Sequence, residues 1–77
     1  MSGLIRNKVH DYRKRFGLTQ EQLAQKLGVT RQTIISIEQG KYVASLPLAL
    51  KICRLFKVRV EDIFIMEDEN DDRFRNF

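Results

Sequence analysis

An all-α domain of five helices is the fold class this sequence predicts, on three observations. Apolar residues recur at helical spacing in successive stretches of the chain. Isolated glycines or capping hydroxyls bracket those stretches. The 77 residues leave room for one domain and no more.

Helix 1 is expected over residues 4–16. Ile5, Val9, Tyr12 and Phe16 recur there at i, i+4, i+7 and i+11, and Gly17 follows as a C-terminal stop. Thr19 begins helix 2, and Gln22 three residues later completes a capping box. Leu23, Ala24 and Leu27 form its buried face, and Gly28 ends it. Thr30 caps helix 3, which is expected to run to about Gln39 with Ile34 and Ile37 inward and Gly40 as its stop. Ser45 caps helix 4, over about 46–56, with Pro47 in the first turn. Its expected apolar face is Leu46, Ala49, Leu50, Cys53 and Phe56, widened by Ile52 and Leu55. Residues 60–64 suggest a fifth helical turn, and Ile63 to Met66 can alternatively pass into a short β-strand. The domain is therefore expected to span residues 1–66, with an aperiodic, flexible tail over 67–77.

Composition narrows the function. Apolar content of 43% with 31% charge suits a soluble globular protein. The longest apolar run is the four residues Ile63 to Met66, far short of the ~20 that span a bilayer, so no membrane partner is expected. Cys53 is alone, which fits a reducing cytoplasm and excludes a disulfide or a cysteine metal cluster within the chain. The net charge of +4 is unevenly divided. Residues 1–60 hold twelve Lys/Arg against three Asp/Glu, a net +9, and residues 61–77 hold two Arg against seven Asp/Glu, a net −5. A basic body suits a polyanion. No Ser/His/Asp set, carboxylate pair or phosphate loop is visible, so no catalytic residue, metal or cofactor is expected, and the chain is not read as an enzyme.

The spacing between Leu18 and Gly40 meets the demands of a helix-turn-helix. Ala24 is small where helices 2 and 3 must cross. Gly28 can take the positive φ of the turn. Val29 plugs the gap between the helices, and Ile34 and Ile37 anchor the second one.

These residues resemble the phage-repressor/Cro-like (XRE-family) helix-turn-helix transcriptional regulators, in their short stand-alone form. The likeness runs through Tyr12-Arg13, Gly17 to Ala24, Gly28 to Ile34, Ile37 to Tyr42, Ser45-Leu46 and Leu48 to Ile52, and covers about residues 4–66. It implies five helices, a recognition helix starting near Thr30, and binding of double-stranded operator DNA as a homodimer. Four positions depart from the family pattern. Val43-Ala44 replaces the usual Asn-Pro, Lys57 stands where a glycine commonly closes helix 4, and Arg59 where Ser or Thr commonly caps the next turn.

The resemblance also assigns roles. Gln20, at the start of helix 2, is expected on a phosphate. Thr30, Arg31, Gln32 and Thr33 form the first turn of the recognition helix, with Ser36 one turn on. Arg31 can chelate guanine or grip a phosphate, and Gln32 can pair with adenine. Ile35 meets a thymine methyl or packs on helix 1. Lys41 and Tyr42 are expected at backbone phosphates. In similar proteins an arginine of helix 1 meets a glutamate of the recognition helix, here Arg13 and Glu38. His10 is expected at the surface, and Cys53 in the core.

Dimerisation is assigned to Ile63, Phe64, Ile65 and Met66, with Phe64 to Met66 able to pair with its twin as a strand. The expected function is a repressor reading a palindrome through the major groove. Two alternatives stand beside it: an autoregulating antitoxin whose acidic tail grips a protein partner, and an interaction module that has lost DNA.

Overall fold

Local sequence decides where most helices of this chain begin and end. The computed structural model describes residues 5–66; the 67–77 tail lies outside them. In chain order the elements are β1 (Ile5–Asn7), α1 (Val9–Arg15), α2 (Gln20–Leu27), α3 (Arg31–Glu38), α4 (Leu46–Phe56), α5 (Val60–Ile63) and β2 (Phe64–Met66). Thr19 Oγ1 accepts from the Gln22 N–H at 3.0 Å, and the Gln22 side chain accepts from the Thr19 N–H at 2.9 Å, so the capping box is complete. Thr30 and Ser45 cap α3 and α4 by accepting from Thr33 and Leu48. Gly28 closes α2 at φ 75°, a left-handed conformation open to a residue without a Cβ. Lys57 closes α4 at φ 59°, which a side chain adopts only at a cost.

The helices enclose one core. Val9, Leu23, Ala24, Leu27, Ile34, Ile37, Leu48, Ile52, Cys53, Phe56 and Ile63 are its buried members. Phe56 extends it toward the surface, stacking edge-on with Phe16 at 5.0 Å and tilted against Tyr12 at 5.8 Å.

Two expectations fail. Helix 1 does not begin at residue 4, because Ile5–Asn7 is a strand antiparallel to Phe64–Met66, with Ile5 opposite Met66 and Asn7 opposite Phe64. Ile5 keeps helical spacing with Val9, but Asn7 Oδ1 accepts from the Val9 N–H at 3.1 Å and starts the helix there. Backbone pairing over some sixty residues then outweighs one apolar position of a helical stripe. The second failure is the face of α4. Leu46 and Leu50 are 68% and 50% exposed, while Leu48 and Ile52 are buried. Lys51 and Arg54 set the charged side of α4 opposite Leu48, Ala49, Ile52, Cys53 and Phe56, and Leu46 and Leu50 lie beside those charges. Packing against α2 and α5 turns Leu48, Ala49, Ile52, Cys53 and Phe56 inward.

Candidate nucleic-acid interface

The first turn of α3 leaves its polar side chains toward solvent, and that follows from its cap. Thr30 holds the Thr33 N–H at 3.2 Å and the Thr33 hydroxyl at 3.0 Å, which caps the first turn. Arg31 and Gln32 are exposed, and Thr33 and Ser36 half-buried. Ile34 and Ile37, on the opposite face, are 0% and 1% exposed and fix the helix in the core. Gln32 Nε2 lies 3.5 Å from Ser36 Oγ, one turn along the same face. Thr30, Gln32, Thr33, Ser36 and Tyr42 line one open depression. Lys41 is exposed beside it, and its N–H donates to the Ser36 carbonyl at 2.9 Å. Ile35 is half-buried on the flank of α3 and is not a member of the core cluster.

The other end of α3 is bonded to its surroundings. Arg13, 7% exposed, donates from Nε to Glu38 Oε2 at 2.6 Å, from Nη2 to Glu38 Oε1 at 3.2 Å, and from Nη1 to the Leu18 carbonyl at 2.9 Å. The pair thus joins α1 to α3 and to the loop before α2. Gln20 Nε2 adds a bond to Glu38 Oε1 at 3.2 Å. Burial acts to raise the Glu38 carboxyl. The hydrogen bonds from Arg13 and Gln20, the Arg13 charge and the His10 contact outweigh it and hold the pKa below its ordinary value. Among the described residues, no buried side-chain N or O lacks a partner.

Gln20 is therefore half-buried in this cluster. A second depression runs beside it, lined by Arg13, Lys14, Gly17, Leu18, Thr19 and Gln20, at the positive end of the α2 dipole. His10 is exposed, yet its Nδ1 lies 3.1 Å from Arg13 Nη2 and 3.4 Å from Glu38 Oε1. The i, i+3 spacing of His10 and Arg13 on one helix was the available signal for this contact. Asn7 was also missed as a structural residue. Its side chain reaches the Ile37 carbonyl, 30 positions away, and no local pattern announces that.

The four residues assigned to dimerisation divide. Ile63 is fully buried within the protomer, so it has no surface to offer a partner. Phe64 and Ile65 are half-buried and Met66 is 50% exposed. Their strand already pairs within the chain, on β1. Cys53 is buried, and burial followed by the charges of Asp62 and Glu61 pushes its thiol up.

Two short helices joined by a left-handed glycine turn, the second offering a polar first turn from a fixed base, define a helix-turn-helix domain of the phage-repressor/Cro type. The chain belongs to the helix-turn-helix family, whose profile matches residues 9–63. It is 54% identical over 66 residues to the uncharacterized HTH-type transcriptional regulator YgzD of Bacillus subtilis, a match covering 86% of this chain and all of that one. It is 60% identical over 65 residues to the uncharacterized HTH-type transcriptional regulator MJ0272 of Methanocaldococcus jannaschii, covering 84% and 98%. The fold is similar to the restriction-modification controller protein C.AhdI of Aeromonas hydrophila, with a TM-score of 0.65 and 27% identity over 71% of this chain and 80% of that one. The protein is a DNA-binding transcriptional regulator of the XRE type and not an enzyme. No helix among the described residues is long and apolar enough to cross a membrane.

Proposed function

We propose that this regulator is a repressor that binds a palindromic operator as a homodimer, each protomer laying the first turn of α3 in the major groove. The observation that carries the reading is the contrast within α3: Arg31 and Gln32 are exposed at its start, while Glu38 at its end is locked to Arg13. A rigid helix with exposed polar side chains at its N-terminus suits base-edge readout.

Arg31 chelates guanine O6 and N7, and Gln32 bonds adenine N6 and N7. Thr30, Thr33, Ser36 and Tyr42, which share the open depression with Gln32, complete the contact surface. Lys41 neutralises a backbone phosphate. Gln20 gives one amide hydrogen to Glu38 and has a second for a phosphate at the start of α2. Recognition helices one DNA turn apart, about 34 Å, require a twofold dimer. Met66 and Ile5, at the end of the β1–β2 pair, are 50% and 37% exposed, and with Phe64 and Ile65 they supply the apolar contact.

Selection of bound sites from random duplex DNA tests the reading. It should return an inverted repeat, and the same selection with Arg31→Ala should lose one guanine in each half-site. Affinity should fall with salt at a log–log slope of roughly −0.9 per phosphate neutralised, and Lys41→Ala should lower that slope by about 1 per protomer. Recovery of unrelated sequences, or salt-independent binding, overturns it.

A further inference from the structure

Asn7 joins three elements that a dimeric DNA reader must hold in fixed relation. It is half-buried in β1, opposite Phe64 of β2. Its Oδ1 accepts from the N–H of Val9, the first residue of α1. Its Nδ2 donates at 2.8 Å to the carbonyl of Ile37, in the last turn of α3. Both helix groups are of the kind that a helix terminus leaves without an intrahelical partner. One side chain thus ties the β1–β2 pair to the start of α1 and to the end of the recognition helix. The adjacent Lys8 N–H donates to the Ile63 carbonyl at 2.8 Å, so the strap is also pinned where α5 passes into β2.

We infer that Asn7 is a positioning residue that sets the angle between the recognition helix and the β1–β2 pair, and so the half-site spacing that the dimer accepts. The inference rests on the proposed dimer, in which the pair of strands lies at the twofold axis. The Arg13–Glu38 pair orients α3 on α1, but the distance between two recognition helices depends on how α3 sits on the dimer element. Each helix then lies about 17 Å from the axis, half of the ~34 Å separation. A tilt of about 10° over that arm moves the helix about 3 Å, close to the ~3.4 Å rise of one base pair. Losing a bond that restrains this tilt therefore has a consequence measured in whole base pairs.

Asn7→Asp keeps the acceptor for the Val9 N–H and replaces the bond to the Ile37 carbonyl with a repulsion between two acceptors. Asn7→Ser is the second variant; its hydroxyl can still cap α1 and is too short to reach Ile37. Both are measured against a set of operators whose half-sites are constant and whose central spacer is lengthened or shortened by one and two base pairs. Wild type should prefer one spacing by about tenfold over its neighbours, a rotational and translational mismatch acting as lowered effective concentration. The variants should cut that preference to below about threefold, or move its optimum by a base pair. Their dimer mass by sedimentation and their half-site sequence should stay as in wild type. A purely structural role would instead lower affinity evenly across all spacings. An unchanged spacing profile in folded variants overturns the inference, and so does the failure of both variants to fold. A wild type that is monomeric when bound, or blind to spacing, overturns the dimer reading itself and the inference with it.

Discussion

The two ends of α3 are built oppositely. At its start, Arg31 and Gln32 are exposed, and the hydrogen bonds there run among Thr30, Thr33, Gln32 and Ser36 themselves. At its end, Glu38 accepts from Arg13 and Gln20, and the Ile37 carbonyl accepts from Asn7 and from the Gly40 N–H. Groups already satisfied inside the protein have little left to offer a ligand. Groups that read bases must reach DNA with donors and acceptors unspent. On the proposed reading of α3 as the recognition helix, stability and recognition are segregated along one eight-residue helix, so substitutions at its two ends should separate them.

The largest effect should come from the held end. Glu38→Ala leaves the Arg13 guanidinium buried without its carboxylate, which costs about 3–5 kcal/mol. Equal denaturation midpoints for wild type and variant would break the comparison. Next come Arg31→Ala and Gln32→Ala. Each should lose about 1–3 kcal/mol of discrimination at one base pair, and leave folding within about 0.5 kcal/mol of wild type. A thermal shift as large as that of Glu38→Ala would show that the free end is not free.

Acid should weaken the held end as well. The folded-state pKa of Glu38 is depressed, so its contribution is complete above the ordinary carboxylate value of about 4.3 and is lost as pH falls through the lower folded value. The stability gap between wild type and Glu38→Gln should therefore close on acidification from about pH 5 to below about 4. A gap that widens instead would reverse the assigned sign. The smallest effect is remote from both ends. Lys57→Gly relieves a left-handed backbone at the end of α4 and should stabilise by up to about 1 kcal/mol, glycine's extra unfolded-state entropy offsetting part of the gain. DNA affinity should not move, and chemical denaturation alongside binding assays checks both statements.

Legibility followed distance along the chain. Thr19 with Gln22, Gly28, Thr30 and Ser45 act within four residues, so their roles could be deduced from spacing alone. The buried positions of α2 and α3 were equally plain, because each helix has one apolar face. Ile5 was misassigned since its strand exists only by virtue of Met66 and its neighbours. Leu46 and Leu50 were placed inside since α4 has more apolar residues than one face holds. His10 was seen as a surface residue, and its contact with Glu38 depends on α1 lying across the end of α3.

The sequence by itself determined that this chain folds as a helix-turn-helix domain, where α2, α3 and α4 start, and which residues stand at the start of α3. These are consequences of hydrogen bonds closed within a turn and of a 3.6-residue period. Only the tertiary structure decided that Ile5–Asn7 form a strand and that Asn7 and Gln20 join Arg13 in holding α3. Those outcomes depend on pairings 18 to 61 positions apart. They require packed helices that bring groups distant in sequence within hydrogen-bond reach, as Asn7 reaches an Ile37 carbonyl that also accepts from Gly40.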